Sequence, residues 1–382
     1  MLEQSGTLRI SHLRLNHNVS LFRHRCPPST RLCATVKANA YGHGVAEITP
    51  LLIDAGMDWF CVYSLAEARN LASHAGGKPI LILAPIVIPQ KDTAHNSSPE
   101  ELVELLHNDT IRYTITDEHS ACQFSQLVQS LHPPHPVNVH IQVDTGLTRQ
   151  GVALKTAESL VRSVLGQGVL RLEGLFTHLS HGDSPNHAAS SKQLSLFENL
   201  RDRVKELQPT VLFHAQNSGG AWHWPDIKLD MVRLGIGLYG LQPSVAEPIS
   251  DLQPIASLHA PITALHDRPA GTGVGYGHTH ILERKSRLAI VPVGYADGYP
   301  RALSNTAMAE VNGTLVPVVG RVSMDQTILD VTEATASIGQ NVTLISANPA
   351  SPLAMDKLAT ICNTIGYELA TGLGRRLSRV VV

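Results

Sequence analysis

Eight short apolar segments recur through the first two thirds of the chain and alternate with amphipathic stretches. Runs rich in Val, Ile, Leu and Phe are typical of parallel strands buried on both faces, and the stretches between them are typical of crossover helices. The alternation predicts an α/β fold, a closed (β/α)8 barrel of the TIM type, over residues 1–245. The predicted strands are residues 32–37, 58–63, 79–83, 111–115, 137–143, 172–178, 210–216 and 229–235.

An open, doubly wound sheet is the alternative fold for the same alternation. Its dinucleotide-binding form carries the glycine pattern GxGxxG directly after the first strand. Here the first predicted strand runs instead into the segment KANAYGHG, residues 37–44. The missing pattern favours the barrel.

Capping signals place several helices between the strands. Ser64 followed by Glu67 forms a capping box, in which each residue satisfies the other's backbone N–H. Ser98 is predicted to cap a helix that has Pro99 at its first position. Thr156 is predicted to cap the helix that follows the fifth strand.

The pattern changes after a proline-bearing connector at residues 241–254. Beyond it, β-rich runs are separated by turn residues, and one amphipathic helix is predicted near residues 355–366. Residues 246–382 are therefore predicted to form a separate, mostly antiparallel β domain.

The charge balance limits the kinds of partner. Lys and Arg number 30 and Asp and Glu number 32, so the formal net charge is −2, and neither a nucleic acid nor a membrane surface is expected to bind. The N-terminus lacks an apolar export segment, and the five cysteines are scattered. We expect a soluble, cytoplasmic enzyme with reduced thiols.

Lys37 lies at the end of the first predicted strand, where a barrel of this type collects its functional groups. An isolated lysine there is usually a solvated side chain. Small and turn-forming residues follow it, however, and Tyr41 comes one turn later. An amine that has lost hydration in such a setting is available for Schiff-base chemistry, for which the common cofactor is pyridoxal phosphate (PLP).

A phosphate would need N–H donors at the same end of the barrel. Asn217 and Ser218, with two glycines, follow the seventh predicted strand, and Gly235 and Ile236 follow the eighth. Loops after these two strands often bind phosphate, although plain turns account for them equally well.

Arg233, on the eighth strand, is either a rim ion pair or a contact to the nitrogen of a PLP ring. Guanidinium only donates, so that nitrogen would stay unprotonated and the ring would be a weaker electron sink. A substrate carbanion is then reprotonated at carbon, which favours racemisation over transamination.

Three further segments carry candidate groups. His178 with His181 and Asp183 has the wrong spacing for a metal site, so no metal is predicted. Arg149 is able to bind a carboxylate with two hydrogen bonds, or to form a rim salt bridge. Tyr276 lies among glycines in GTGVGYGHTH, which indicates either a flexible hairpin or a presented acid or base.

Together these motifs resemble the PLP-dependent alanine racemases over nearly the whole chain. The resemblance rests on VKANAYGHG, VDTGLTRQG, FTHLS, NSGG, VRLGIGLYGL, GVGYGHTH, VPVGYADGYPR, GRVSMDQ and GYELATGLGRR, in this order. It implies a barrel followed by a β domain, in a head-to-tail homodimer where each β domain completes the partner's active site. The substrate implied is alanine.

The resemblance also implies individual roles. Lys37 would bind PLP and act as one acid/base, and Tyr276 of the partner subunit would be the other. The implied cofactor contacts are Tyr41, His178, Asn217, Ser218, Arg233, Gly235, Ile236 and Tyr367. The implied substrate contacts are Arg149, Met324 and Tyr295, with Asp325 next to Met324 as a supporting residue.

One position departs from the family pattern. Many members have a carbamylated lysine two residues before the aspartate of VDTG, bonded to the arginine that matches Arg149. This chain has Gln142 there, which cannot be carbamylated. A bound chloride or a direct Gln142 amide contact is expected to replace it, and the preference for alanine over serine or other amino acids is less strictly implied.

Two other classes remain as alternatives. A PLP decarboxylase shares the barrel-plus-β plan, but decarboxylases of this plan usually pair the ring nitrogen with an acid, unlike Arg233. A non-catalytic PLP-carrying protein usually lacks the β domain. For a racemase, the resemblance is consistent either with supply of D-alanine to a cell wall or with its breakdown.

Overall fold

The computed structural model describes residues 6–88, 99–244 and 246–382. Within these ranges, the strands before residue 245 are β1 (Thr7–Ile10), β2 (Arg31–Thr35), β3 (Trp59–Val62), β4 (Ile80–Pro85), β5 (Ile111–Ile115), β6 (Val137–Asp144), β7 (Val152–Ala153), β8 (Leu170–Phe176), β9 (Leu212–His214) and β10 (Met231–Leu234).

Eight of these strands form the predicted closed barrel. Strands β2, β3, β4, β5, β6, β8, β9 and β10 pair in parallel, and the pairs β5–β6 and β10–β2 close the ring. Each falls within or overlaps one of the eight predicted segments. Strand β5 is buried at all five positions, because its side chains face the barrel interior on one side and the surrounding helices on the other.

The helices are α1 (His12–Arg25), α2 (Lys37–Tyr41), α3 (Val45–Asp54), α4 (Leu65–Ala72), α5 (Pro99–His107), α6 (Glu118–Leu131), α7 (Leu154–Leu165), α8 (Ala188–Leu207), α9 (Ser218–His223), α10 (Met355–Ile361) and α11 (Gly366–Gly372). Among the described residues, no helix combines the length and the apolar character needed to cross a bilayer.

Two of the capping predictions are tested. The Ser64–Glu67 capping box forms at the start of α4. The Thr156 prediction is wrong, because the N-cap of α7 is Ala153, three residues earlier, and the helix begins at Leu154 directly after β7. Thr156 instead donates its hydroxyl to the Ala153 carbonyl, 3.1 Å away. Ser98 lies outside the described residues.

The strands after residue 246 are β11 (Ala256–Pro261), β12 (Ala264–Arg268), β13 (Gly273–Val274), β14 (His280–Ile281), β15 (Ser286–Val291), β16 (Met308–Val311), β17 (Thr314–Pro317), β18 (Thr327–Asp330), β19 (Asn341–Ile345) and β20 (Ser378–Val381). They form a six-stranded sheet in the order β17-β16-β19-β11-β1-β20, a three-stranded sheet and a short hairpin. All their pairings are antiparallel except β1–β20, which confirms a mostly antiparallel domain.

Strand β1 belongs to this second sheet although it precedes the barrel. It pairs antiparallel with β11 and parallel with β20, and its Leu8 and Ile10 are fully buried. The division of the chain into two domains at residue 245 stays a prediction. That division placed residues 7–10 with the barrel, whereas the pairing of β1 with β11 and β20 puts this strand in the sheet of the β domain. The sequence TLRI alternates inward and outward side chains, as a strand with one buried face does.

Candidate active site

A cavity of about 1000 Å³ opens at the carboxyl ends of the barrel strands. Loops after β2, β3, β8, β9 and β10 contribute to its wall, together with α11 from the β domain. Its lining includes eleven of the residues singled out from the sequence: Lys37, Tyr41, Gln142, Arg149, His178, Asn217, Ser218, Arg233, Gly235, Ile236 and Tyr367.

The cavity wall formed by α11 and the two residues before it includes side chains that none of the motifs singled out. Thr364, Ile365, Glu368 and Thr371 line the cavity alongside Tyr367. They are separated from the barrel loops by more than a hundred residues of chain, so only the motif GYELATGLGRR pointed to this region.

Lys37 is half-buried and begins α2, two residues after β2 ends at Thr35. The four residues after it form a left-handed turn, with φ between 51° and 55° from Ala38 to Tyr41. None is glycine, and this conformation costs roughly 1–2 kcal/mol for each such residue. The lysine is therefore held by a backbone that its surroundings must stabilise.

Contacts from three elements hold this turn. Glu67, from the capping box of α4, accepts a hydrogen bond from the Ala38 N–H at 2.7 Å. Asn39 accepts one from the Val45 N–H at 2.9 Å. Arg379 of β20 donates to the Gly42 carbonyl from Nε at 3.0 Å and from Nη2 at 2.7 Å. The β domain thus fixes the loop that carries Lys37.

The predicted phosphate-binding residues meet at the ends of β9 and β10. The Ser218 hydroxyl accepts hydrogen bonds from the N–H groups of Gly235 at 2.9 Å and Gly237 at 3.2 Å. Asn217 caps α9 by accepting a hydrogen bond from the Gly220 N–H at 2.9 Å. A Cβ added to Gly235 would lie 2.8 Å from the Tyr41 hydroxyl oxygen, so only glycine leaves space there.

Two phenols face this part of the cavity. The rings of Tyr41 and Tyr367 lie 6.3 Å apart between centroids. Burial raises the pKa of both hydroxyls well above its ordinary value. Both phenols therefore stay neutral and are available as hydrogen-bond donors to an anion.

Arg233 lies at the base of the cavity and is buried. Nη1 contacts His214 Nδ1 at 2.6 Å, while Nη2 donates to the carbonyls of Thr177 at 2.8 Å and Ala215 at 3.1 Å. Among the residues that the structure describes, no carboxylate forms an ion pair with it. Burial lowers its pKa, but guanidinium remains protonated in proteins. The rim ion pair considered for this arginine is therefore not formed.

His178 is a neutral hydrogen-bond acceptor toward Arg233. Its Nδ1 lies 3.2 Å from Arg233 Nη2, which only donates, so the proton of the imidazole belongs on Nε2. Burial, together with the charges of Arg233, Arg149 and Lys37, lowers the pKa of His178 to about 3. This histidine stays uncharged at neutral pH.

The residues near His178 do not form a metal site. Across the described ranges, no group of three His, Cys, Asp or Glu side chains is placed to bind an ion. His181 stacks instead on His187, with ring centroids 3.7 Å apart.

Gln142 and Arg149 both line the cavity, but the direct contact considered between them is not formed. Gln142 is buried, and within the described chain its side-chain oxygen accepts no hydrogen bond. Arg149 is exposed at the cavity mouth. The chloride alternative stays a prediction.

Four predicted site residues lie outside this cavity, on the β domain. Tyr276, Met324 and Tyr295 are 72%, 53% and 43% exposed. The N–H groups of Tyr295 and Ala296 donate to the carbonyls of Ser323 and Met324, each at 3.0 Å, so two of the motifs form one surface.

The third motif contacts the same surface. A Cβ on Gly320 would lie 2.8 Å from the carbonyl oxygen of Val274, two residues before Tyr276. Asp325 forms an ion pair with Arg376 at 2.7 Å, and Arg376 also binds Asp297. Tyr276, Tyr295 and Met324 are thus exposed on a surface that these hydrogen bonds and ion pairs stabilise, and they do not line the cavity of their own chain.

Known proteins resemble this chain along its full length. The alanine racemase N-terminal domain family matches residues 10–243, and the alanine racemase C-terminal domain family matches residues 255–381. An alanine racemase of Synechocystis sp. is 34% identical over 390 residues, which cover 100% of both chains.

Solved structures agree with this result. Alanine racemase from D-cycloserine-producing Streptomyces lavendulae superposes with a TM-score of 0.88 at 27% identity, covering 100% of this chain and 98% of the other. The Bartonella henselae enzyme, solved with covalently bound pyridoxal phosphate, gives a TM-score of 0.83 at 30% identity, covering 100% of both chains. With its barrel, its β domain and its cavity at the strand ends, this chain is an isomerase of the alanine racemase family.

Proposed function

We propose that the protein interconverts L- and D-alanine by removing the α-proton from one face of the substrate and returning it to the other. The observation that carries the proposal is that one cavity is lined both by Lys37 and by a buried Arg233, which forms no ion pair with a carboxylate in the described part of the chain. Membership of the alanine racemase family supports the choice of reaction.

The residues of the cavity fit pyridoxal phosphate. Ser218, Tyr41 and Tyr367 offer neutral hydroxyls, and Gly235 leaves space beside the Tyr41 hydroxyl that any Cβ would fill. This donor set suits a phosphate, with Asn217 and Ile236 in the same two loops. When bound, PLP supplies an aldehyde for a covalent bond to an amine and a ring that acidifies the α-hydrogen of that amine.

Lys37 and Tyr276 of the partner subunit are proposed as the two acid/bases. Racemisation needs a proton-accepting group on each face of Cα, and one side chain cannot reach both faces. Lys37 lines the cavity, whereas Tyr276 of the same chain does not. His178, with its proton on Nε2, is available to donate to the phenol and thereby link Tyr276 of the partner subunit to Arg233.

Arg233 is proposed to donate to the pyridine nitrogen. Because guanidinium gives up no proton, Arg233 would leave a pyridine nitrogen held there unprotonated, which would favour return of a proton to Cα over its transfer to the ring system. This arrangement argues against a decarboxylase, in which an acid would be expected at this position.

The dimer is proposed from the exposed surface of the β domain. Tyr276, Tyr295 and Met324 present large apolar side chains to solvent, and such patches usually mark an interaction site. Placed over the partner's cavity, Met324 would offer its backbone to the alanine carboxylate beside Arg149, and Tyr295 would narrow substrate access. Asp325, bound to Arg376, would brace this loop.

The proposal is tested by incubating the purified protein and PLP with a panel of L-amino acids in deuterated water. Chiral chromatography is expected to show D-alanine carrying deuterium at Cα, with less product from serine. Release of carbon dioxide would indicate a decarboxylase instead, and failure to exchange the α-hydrogen of any small amino acid would refute the proposal.

If a bound chloride links Gln142 to Arg149, Gln142→Ala is expected to raise the KM for alanine about tenfold or more, with a smaller effect on kcat, because a hydrogen bond to a charged group contributes roughly 1.5–3 kcal/mol. If chloride bridges Gln142 and Arg149, KM of the parent enzyme will also rise when chloride is replaced by gluconate, and the variant will not respond. Steady-state rates with L-alanine in the two salts measure both effects.

The control for this substitution is Gln150→Ala, because Gln150 lines the same cavity next to Arg149 but carries no predicted role. Unchanged turnover and an unchanged position of Arg149 in Gln142→Ala would refute a positioning role for Gln142.

A further inference from the structure

Below the cavity, a line of polar side chains runs through the barrel interior. It starts at Arg233, whose Nη1 lies 2.6 Å from His214 Nδ1. His214 Nε2 lies 3.0 Å from His140 Nδ1, and His140 Nε2 lies 3.4 Å from a carboxylate oxygen of Glu173. Glu173 is bound in turn by Arg112, at 2.7 and 3.0 Å. Both histidines are fully buried.

The two ends of this line determine where its protons lie. Burial lowers the pKa of His140 and of His214, so each is a neutral imidazole with one donor and one acceptor nitrogen. Arg233 only donates, which requires a bare Nδ1 on His214. The carboxylate of Glu173 only accepts, which requires a proton on Nε2 of His140. Both histidines must therefore carry their proton on Nε2.

The packing around the histidines holds their rings in place. His140 on β6 faces Gly174 on β8, where an added Cβ would lie 2.4 Å from the imidazole Nδ1. His214 stacks on Phe176 at 5.0 Å between ring centroids, and Arg233 lies 5.2 Å from the same ring. The glycine provides the space, and the aromatic ring sets the plane in which His214 meets Arg233.

We propose that Glu173 is a positioning residue for the reaction, acting on Arg233 through His140 and His214. This inference rests on the proposed function, since it concerns how Arg233 is presented to the pyridine nitrogen. With the carboxylate in place, His214 offers Arg233 a lone pair. Without it, only Arg233 constrains the direction of the line. A share of His214 would then carry its proton on Nδ1, where it faces the guanidinium and displaces it.

Burial and charge at Glu173 agree with this role. Burial alone would raise its pKa, but the hydrogen bonds from His140 and Arg112 outweigh that effect and hold the pKa well below its ordinary value. The group stays a carboxylate, an obligate acceptor, across the range in which the enzyme is assayed.

The test compares Glu173→Met, which removes the acceptor, with Glu173→Gln, which keeps a carbonyl oxygen for His140. Asn138→Ala is the matched control: Asn138 is buried on β6, two residues before His140, and its hydrogen bonds go to Asp109 and Arg171 instead. Arg112→Met with Glu173→Met removes the ion pair as a unit, in case the single variant leaves Arg112 unpaired and fails to fold.

Two quantities are measured on the PLP-loaded enzymes: kcat for racemisation, and pyruvate released per racemisation event. In the side reaction the α-proton moves to a cofactor carbon, water supplies the keto oxygen of pyruvate, and the amino group stays on the cofactor. Glu173→Met is expected to lower kcat about tenfold and to raise the ratio of pyruvate to racemisation events about fivefold. The reason is that a displaced Arg233 would no longer keep the pyridine nitrogen unprotonated, so the side reaction would compete better.

Glu173→Gln is expected to keep both kcat and the pyruvate ratio close to their parental values. Asn138→Ala is expected to leave the pyruvate ratio unchanged. A merely structural role for Glu173 would lower kcat without moving this ratio. If Glu173→Met and the double variant both fold and keep the parental ratio, the inference is overturned.

A second readout needs neither PLP nor activity. In cofactor-free protein labelled with ¹⁵N-histidine, solid-state NMR distinguishes bare from protonated ring nitrogens, and His214→Gln identifies the resonances of His214. We expect a bare Nδ1 in the parent and a partly protonated Nδ1 in Glu173→Met. A protonated Nδ1 in the parent, or an Nδ1 that stays bare in Glu173→Met, would overturn the inference even if the protein racemises alanine. An Nδ1 that is bare in the parent and partly protonated in Glu173→Met would support it even if the protein does not.

Discussion

Replacing Lys37 by alanine is expected to lower racemisation of alanine by about 10⁴-fold or more, because one residue supplies both the covalent anchor and one of the two acid/bases. The rate is expected to fall equally from L- and from D-alanine, since the same cofactor serves both directions. Chiral chromatography of both reactions measures this, and borohydride reduction followed by peptide mass spectrometry shows whether PLP is still attached.

Two controls accompany this substitution. Lys37→Arg keeps a positive charge but offers no primary amine, so it should be equally inactive. Lys155, an exposed residue at the start of α7, should tolerate alanine with no loss of activity. A borohydride-stable PLP adduct in Lys37→Ala would show that another lysine is the anchor.

Mixing two inactive variants is expected to restore activity if each site is shared between subunits. Lys37→Ala and Tyr276→Phe each disable both sites of their own homodimer. In a mixed dimer the two substitutions fall in one site, and the other site is intact. With random exchange, half of the dimers are mixed and each has one working site, so about a quarter of the parental activity should return.

The control mixes Lys37→Ala with His178→Ala. Both residues line the cavity of the same barrel, so a mixed dimer has one damaged residue in each site and activity should not return. If activity does not recover with Tyr276→Phe in samples where mass spectrometry shows mixed dimers, each active site would take both Lys37 and Tyr276 from the same chain. That result would refute the shared site.

The barrel was predictable because its signal is local. Each buried strand of a parallel sheet is a short apolar run, and the runs at 111–115 and 137–143 coincide almost residue for residue with β5 and β6. Helix starts depend on finer detail. Thr156 has a side chain that is able to cap a helix, but α7 begins at Leu154, directly after β7, so Thr156 already lies inside the helix.

The residues at the strand ends were predictable for a related reason. The carboxyl ends of all parallel strands meet at one end of the barrel, so Lys37, Ser218 and Arg233 had to come close once the fold was known. The sequence carried no comparable signal for the left-handed turn after Lys37. That backbone is stabilised by Glu67 and Arg379, which reach it from elsewhere in the fold.

The polar side chains beneath Arg233 were only weakly indicated by the sequence. His140 and His214 each interrupt a run of apolar residues in a predicted buried strand, where a polar side chain must find a partner. Which partner it finds depends on the pairing of β6, β8 and β9, and on the space beside Gly174, so that part required the structure.

The place of β1 also sets the order in which the protein is able to assemble during synthesis. The ribosome releases β1 before the barrel strands, but its neighbours β11 and β20 follow only after the whole barrel. The barrel is able to close once β10 has been made and pairs with β2. At that stage β1 still lacks the strands that bury Leu8 and Ile10 in the complete fold. Until β11 and β20 have been synthesised, β1 is an unpaired apolar strand that a chaperone or a neighbouring nascent chain would be able to bind.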